Sequence, residues 1–234
     1  MNFNKHLELT NKHALFSPSQ PSWLNYDNDA IDGRIDSRFR KELGTLIHEF
    51  ASTSIILRHT FETVEGVICG VETYIYQKFL NTDSSSLYFG TLTKHGQELL
   101  MSLNIIPVET WDTVKAYIND GSNFNMVSEQ PLIYSERVFG TADAIKFDDH
   151  QLKIMDLKTG SLPVHPEQLM TYAALFCLEY KQDPKKIEIE LRIYQNGNVN
   201  IFNPEPAEIS AIMKQITLVE RRFKRISKNT TVKE

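Results

Sequence analysis

Residues 140–160 read GTADAIKFDDHQLKIMDLKTG, and this stretch decides the fold. Two short apolar runs flank a tight acidic turn, which is typical of a β-hairpin. An aspartate interrupts each run: Asp143 in the first and Asp156 in the second, with Lys158 two residues further on. A carboxylate is costly on a largely apolar strand unless it has a partner, so each interruption needs an explanation.

The alternation of side chains predicts the register of this hairpin. Successive side chains of a strand point to opposite faces, and the bulky apolar residues of both strands share a face if the two residues 149–150 form the loop. The predicted pairs are then Phe147 with Leu152, Ile145 with Ile154, Asp143 with Asp156, and Thr141 with Lys158. We expect the two carboxylates to lie side by side, with Cβ atoms about 4.5–5.5 Å apart, on the face that carries Ile145 and Phe147.

The paired aspartates are candidate metal ligands. Two ionised carboxylates at that separation repel each other, and one takes up a proton unless a cation lies between them. Carboxylate and carbonyl oxygens suit Mg²⁺ or Mn²⁺. The alternative is an ion pair between Lys158 and Asp156 on a half-exposed sheet, and the Asp-x-Lys spacing alone does not separate the two interpretations.

Two further features support a site at this hairpin. Gln168 and Tyr172 lie four residues apart on a helix predicted over residues 165–180, so they share a face. His48 lies on the inward side of a predicted helix that begins near residue 37. A lone histidine there is usually a core residue, and it becomes a candidate ligand because the acids need a partner.

The remaining pattern predicts a mixed α+β (α/β) fold in which helices flank a small mixed sheet. We expect one domain over residues 1–234, composed of a helix over 37–60, a helical insertion over 61–120, a sheet core over 124–202 that includes the helix 165–180, and a C-terminal helix over 204–226. Residues 61–80 also fit a strand, and residues 119–122 are predicted to form a turn. The apolar stripe of the last helix, which ends at Ile226, is expected to be buried.

The composition is that of a globular protein and favours a cytoplasmic location. The chain has 234 residues, is 41% hydrophobic and carries a net charge of −5, which argues mildly against a protein that coats nucleic acid. It has no apolar run of 18 or more residues, so neither a membrane span nor a membrane partner is expected, and its start does not resemble a signal peptide. Cys69 and Cys177 are expected to pack as core hydrophobes in a reducing cytoplasm.

Four short motifs occur in order along the chain. They are Gly-Thr-x-x-His-Glu on a predicted helix, Gly-x-x-Asp, Asp-x-Lys-Thr-Gly and Gln-x-x-x-Tyr, at residues 44–49, 140–143, 156–160 and 168–172. This pattern resembles the PD-(D/E)xK nuclease superfamily, and within it the RecB-like exonucleases of phages and prophages. The resemblance covers residues 13–51 and 125–180 and is faint elsewhere.

The resemblance implies a role for each matching residue. The metal ligands that it implies are His48, Asp143, Asp156, the Leu157 backbone carbonyl and, as a further candidate, Glu129. The catalytic residues that it implies are Lys158, Asp143, Asp156, Gln168 and Tyr172. Lys158 would orient or activate the attacking water, and Gln168 and Tyr172 would support the site and contact the DNA backbone. Many RecB-like relatives carry cysteines that hold an iron–sulfur cluster; this chain lacks them, so no cluster is expected.

The function that the resemblance implies is Mg²⁺- or Mn²⁺-dependent hydrolysis of phosphodiester bonds in DNA. The enzyme would be an exonuclease of phage recombination or DNA processing in the cytoplasm of a bacterial host, with a phage single-strand annealing or recombination protein as a partner. Two alternatives stay open: an endonuclease with the same core, and a catalytically inactive nuclease-like scaffold that binds DNA or protein. The presence of Asp143, Asp156 and Lys158 argues against the scaffold, whereas the acidic net charge weakly favours it.

Overall fold

The computed structural model describes residues 14–18, 21–81, 91–160, 163 and 165–231 of the chain. In these residues the helices are α1 (Asn28–Ile56), α2 (Val64–Lys78), α3 (Lys94–Met101), α4 (Val108–Asn123), α5 (Glu167–Glu179) and α6 (Pro206–Thr231). The strands are β1 (Leu80–Asn81), β2 (Thr91–Leu92), β3 (Val127–Ser135), β4 (Val138–Asp148), β5 (Gln151–Leu157), β6 (Glu188–Gln195) and β7 (Asn198–Phe202). The predicted mixed α+β class is confirmed. The two ends of the predicted domain, residues 1–13 and 232–234, lie outside the described residues.

The main sheet has five strands in the order β3-β4-β5-β6-β7. Neighbouring strands are antiparallel except β5 and β6, which are parallel because α5 lies in the connection between them. The β4–β5 hairpin has the predicted two-residue loop, and the predicted pairs Phe147–Leu152 and Ile145–Ile154 are confirmed. Both loop residues have positive φ, as the turn that best fits the twist of such a hairpin requires.

Two hydrophobic clusters lie on opposite faces of this sheet. On one face, which we call the α1 face, α1 and α4 pack against the strands, and α2 packs on these two helices; Ile47 and Met155 are fully buried there. On the other, which we call the α5 face, α5 packs against the strands and α6 packs on α5; Leu152 and Ile154 are fully buried there. The sheet therefore separates two cores that share its strands.

α1 begins at Asn28, well before the helix start expected near residue 37. The side chain of Asp27 accepts a hydrogen bond from the backbone N–H of Ala30 at 2.9 Å and so caps the helix. The first turns of α1 are mostly exposed, and they lack the apolar periodicity that marks a buried helix in a sequence. Residues 61–80 fit either a helix or a strand, and most of them, Val64–Lys78, form the helix α2.

The turn predicted over residues 119–122 is wrong, since these residues continue α4 to Asn123. Gly121 lies so close to α1 that a Cβ added to it would be 2.5 Å from Cδ1 of Ile55. The Asn119 side chain donates a hydrogen bond to the backbone carbonyl of Phe61 at 2.8 Å and accepts one from its N–H at 2.8 Å. These contacts with α1 and with the segment that precedes α2 hold the polar residues in a helix.

The apolar stripe of α6 is buried only in the N-terminal part of the helix. Ile209 is fully buried and Ile216 is 8% exposed, whereas Ile226 is 63% exposed. The expectation of burial as far as Ile226 is wrong because α6 has 26 residues and α5, on which it packs, has only 13. No helix in the described parts of the chain is long and apolar enough to cross a membrane.

The two cysteines differ in their surroundings. Cys177 is buried as expected, but Cys69 is exposed, because the helical period places it on the side of α2 away from the buried Val67 and Val71. Neither forms a disulfide bond.

Candidate functional site

The predicted site residues lie around the carboxyl end of β5, where β4 and β5 stop pairing. The last pair of this ladder is Ala144–Met155, so the predicted Asp143–Asp156 pair is not part of it. The backbone N–H of Leu157 instead donates a hydrogen bond to Oδ2 of Asp143 at 3.2 Å. The two strands thus remain linked through a carboxylate at the point where their backbone pairing ends.

Asp143 faces α1, contrary to the prediction that it shares a face with Ile145. Its Oδ2 lies 3.5 Å from Nδ1 of His48 on α1. Ala142 belongs to the cluster on the α5 face and Ala144 to the cluster on the α1 face, although residues two positions apart on a regular strand share a face. The alternation of β4 is therefore broken at Asp143.

Glu129 on β3 lies opposite this break. The pairs Ser128–Ala144 and Gln130–Ala142 place it across from Asp143, and its φ of 53° is in the left-handed region. Burial and the nearby Asp143 carboxylate raise the pKa of the Glu129 carboxyl. Strained backbone of this kind clusters at functional sites, so the structure supports keeping Glu129 among the candidate ligands.

Asp156 is the most deeply buried of the acids. Its residue is 3% exposed, and Oδ1 accepts a hydrogen bond from Nζ of Lys158 at 3.0 Å. Oδ2 also lies 3.0 Å from that Nζ, but it makes no hydrogen bond, and it is the one buried side-chain oxygen or nitrogen of the described residues without such a partner. Burial and the Asp143 carboxylate raise the pKa of Asp156 to about 6, although Lys158 and His48 oppose this change.

His48 is held in its neutral form. Burial lowers the pKa of its imidazole below 6.5, and the ammonium of Lys158 acts in the same direction, against the opposing effects of Asp156 and of the Leu157 carbonyl. A neutral imidazole has the lone pair that a metal ligand needs, so His48, Asp143 and the backbone of Leu157 place nitrogen and oxygen donors within a few ångströms of one another.

A chain of hydrogen bonds connects Lys158 to α5. Nζ of Lys158 donates to Oε1 of Gln168 at 3.0 Å, and Nε2 of Gln168 donates to Oη of Tyr172 at 3.3 Å. The Tyr172 ring packs on the backbone of Gly140, since a Cβ added there would lie 2.8 Å from Cε1 of Tyr172. Both motif residues of α5 are thus connected to the acids through Lys158.

A cleft of about 1020 Å³ opens beside these residues, between α1 and the sheet. Its lining includes Arg40, Lys41, His48, Glu129 and Asp143. The residues Asp156, Lys158, Gln168 and Tyr172 do not line it. The predicted site is therefore divided: His48, Asp143 and Glu129 lie at the cleft, and the remaining side chains lie on the α5 side of β5.

Sequence reasoning gave no role to two groups near the site. Glu49 accepts a hydrogen bond from Oη of Tyr74 at 3.1 Å and forms an ion pair with Lys78, and both Glu49 and Tyr74 line the cleft. Tyr117 is 2% exposed, and its pKa is raised well above the usual value by burial and then by the carboxylates of the site. No pattern in the sequence separates Tyr117 from an ordinary core aromatic residue.

The donors are close together but do not form a ready metal cage. In the described residues, no group of three or more His, Cys, Asp or Glu side chains is arranged so that it could hold a metal ion. No protein-family model matches the chain, and no curated protein sequence matches it. The resemblance to the nuclease superfamily therefore rests on the sequence motifs alone.

Proposed function

We propose that the chain is a Mg²⁺- or Mn²⁺-dependent nuclease that hydrolyses phosphodiester bonds in DNA. The observation that carries this proposal is the Asp156 carboxylate, which is buried beside Asp143 with one oxygen lacking a hydrogen bond. In the described part of the chain, this oxygen has only the Lys158 ammonium beside it, at 3.0 Å, and one ammonium does not offset two neighbouring carboxylates. A divalent cation between Asp143 and Asp156 would remove the repulsion that raises the pKa of Asp156. A purely structural ion pair with Lys158 gives no reason for the second carboxylate and the neutral histidine next to it.

The donor chemistry fits a divalent ion. The residues that would hold it are His48, Asp143, Asp156, the Leu157 carbonyl and, as a further ligand, Glu129. Mg²⁺ and Mn²⁺ favour carboxylate and carbonyl oxygens, and imidazole suits transition metals. When bound, the ion supplies charge neutralisation on the phosphate and lowers the pKa of a water molecule.

Lys158 holds the attacking water and stabilises negative charge on the phosphate. Its ammonium is anchored at 3.0 Å by Asp156 on one side and by Gln168 on the other, yet its side chain remains 39% exposed. A fixed cation of this kind stabilises charge that develops in the transition state without having to reorganise. Gln168 and Tyr172 position Lys158 through the chain of hydrogen bonds that ends at α5.

The test is incubation of the purified protein with end-labelled linear DNA and with circular DNA, in Mg²⁺, in Mn²⁺ and in EDTA. An exonuclease shortens the linear DNA and leaves the circles intact, whereas cleavage of the circles supports the endonuclease alternative. Asp156→Asn should abolish cleavage. Asp148→Asn, which changes an exposed aspartate of the same hairpin, should leave cleavage unchanged.

The second candidate is a scaffold that binds DNA or protein without cutting DNA, which the net charge of −5 favours. This interpretation replaces the nuclease if no divalent metal supports cleavage by the unaltered protein.

The proposed nuclease would act in the cytoplasm of a bacterial host. A single-strand annealing or recombination protein would take up the strand that it exposes.

A further inference from the structure

Beyond Asp143, the β3–β4 hairpin continues as an arm formed by residues 130–142. Its lower face packs against α5: Leu132 and Ala142 are fully buried, and Gly140 lies against the Tyr172 ring. Its upper face is exposed and consists of Pro131, Ile133, Phe139 and Thr141. The arm therefore has a fixed underside and an uncharged upper surface.

The upper face of the arm continues directly from the site. Asp143 lies across from Glu129, the next row on the same face is the pair Pro131–Thr141, and the row after that is Ile133–Phe139. Because residues two apart share a face and each residue advances the strand by about 3.3 Å, Phe139 lies about 13 Å along the strand from Asp143. The break in alternation occurs after this stretch, so Phe139 and Asp143 face the same side.

Phe139 is 65% exposed and Ile133 is 51% exposed. Exposed apolar side chains such as these do not bind the phosphates of DNA. The aromatic ring of Phe139, however, is of the kind that stacks on nucleobases. Cations suited to phosphates are placed elsewhere, since Arg40 and Lys41 line the α1 side of the cleft. The two sides of the site thus differ in chemistry, with basic residues on α1 and apolar residues on the arm.

We propose that the upper face of the arm is a stacking platform for unpaired bases of the DNA strand held at Asp143, with Phe139 as its aromatic contact. This inference rests on the proposed nuclease function for the identity of the bound polymer. At about 3.4 Å per stacked nucleotide, a span of about 13 Å corresponds to about four nucleotides. The substrate is therefore single-stranded DNA or a frayed end, because a duplex keeps its base faces inside its own stack.

The first experiment measures the binding of fluorescent single-stranded oligodeoxynucleotides in EDTA by anisotropy, so that cleavage plays no part. Phe139→Ala should weaken binding by roughly 5- to 150-fold, the range expected for loss of one stacked base. Phe139→Trp should restore binding, whereas Phe139→Leu, which keeps an apolar side chain without a ring, should not. Ile201→Ala, which alters an apolar residue that is 51% exposed on the far edge strand β7, serves as the control and should bind like the unaltered protein.

The second experiment scans a single abasic site along the oligonucleotide. For the unaltered protein, one position should weaken binding markedly, and for Phe139→Ala the same position should have no further effect, because the ring and the base act as a pair. If Phe139→Ala binds as tightly as the unaltered protein, or if Phe139→Leu is as good as Phe139→Trp, the platform is overturned.

The two proposals fail separately. Metal-dependent cleavage without any dependence of binding on Phe139 removes the platform and leaves the nuclease. Binding that depends on Phe139 without cleavage in any divalent metal removes the nuclease and leaves the platform. Absence of all binding to single-stranded DNA removes the platform, whatever the protein does to a duplex.

Discussion

Replacing Asp156 by asparagine should make the metal-free protein more stable at neutral pH. Burial and the Asp143 carboxylate raise the pKa of Asp156 from 3.8 to about 6. Ionising this carboxyl group therefore costs about 3 kcal/mol more in the folded chain than in the unfolded chain. Asparagine cannot ionise, and its amide oxygen can still accept the hydrogen bond from Lys158.

The dependence on pH follows from the direction of this pKa change. Since the folded chain binds the proton more tightly than the unfolded chain does, the contribution of Asp156 to the free energy of unfolding falls as the pH rises from about 4 to about 6. The cost is complete at pH 7.5, and about half of it remains at pH 5. Asp156→Asn should therefore gain about 1–3 kcal/mol over the unaltered protein at pH 7.5, once the less favourable burial of its amide group is included, and clearly less at pH 5.

Thermal unfolding in EDTA, followed by circular dichroism, measures this gain. For a chain of this size it corresponds to a rise in Tm of about 2–12 °C. Addition of Mn²⁺ should offset most or all of this gain, because a ligand present at 100 times its Kd stabilises the unaltered protein by about 2.7 kcal/mol and the variant has lost one charged ligand. Asp148→Asn, at an exposed position, should change the free energy of unfolding by less than about 0.5 kcal/mol. A variant that is less stable than the unaltered protein in EDTA at pH 7.5, or one that Mn²⁺ stabilises equally, refutes the charge argument.

Three further predictions concern single residues. Lys158→Ala should lower the rate of DNA cleavage by about 10²–10³-fold. The variant should keep the Mn²⁺-induced rise in Tm, because every proposed metal ligand remains. Cleavage at the rate of the unaltered protein would contradict the role of Lys158. Gly121→Ala should lower the free energy of unfolding by about 1–3 kcal/mol, since the new Cβ would be 2.5 Å from Ile55. Its control is Gly33→Ala, on an exposed turn of α1 with no atom within 4 Å of the new Cβ, which should raise the free energy of unfolding by about 0.5–1 kcal/mol. Urea denaturation measures both variants, and equal effects would show that the contact with Ile55 relaxes freely. Glu129→Val should be less stable than Glu129→Gly by about 1–2 kcal/mol in free energy of unfolding, because a φ of 53° disfavours a branched side chain. Urea denaturation compares the two variants. If they are equally stable, the strained conformation is not retained in solution.

The parts of the fold that were predictable depend on neighbouring residues. The two-residue loop at residues 149–150 follows from the apolar pattern on both sides of it, and this loop sets the pairs Phe147–Leu152 and Ile145–Ile154. The Asn196-Gly197 pair between β6 and β7 likewise favours a two-residue hairpin turn from its local sequence, and both residues have positive φ. In each case, the residues that determine the structure lie within a few positions of one another.

The parts that were not predictable depend on residues that are distant in the sequence. Residues 119–122 have the composition of a turn, yet the close packing of Gly121 on Ile55 keeps them helical. The exposed start of α1 depends on a capping hydrogen bond that the Asp27 carboxylate accepts from the Ala30 backbone N–H, and it has no apolar stripe. The nearness of His48 to Asp143 could be expected only from the order of the motifs, because α1 reaches the sheet through contacts such as Gly44 against Thr159.

The most informative failure is the face of Asp143. Strict alternation would place its carboxylate with Ile145 on the α5 face, on the opposite side of the sheet from His48. The break directs it toward His48 on α1 while Ile145 stays in the cluster on the α5 face. The break costs about 1–3 kcal/mol of backbone strain at a residue such as Glu129, and the packing on both faces of the sheet must offset that cost. A regular hairpin would have avoided the strain, so the irregularity is best explained by the need to bring the Asp143 carboxylate to His48 and the cleft.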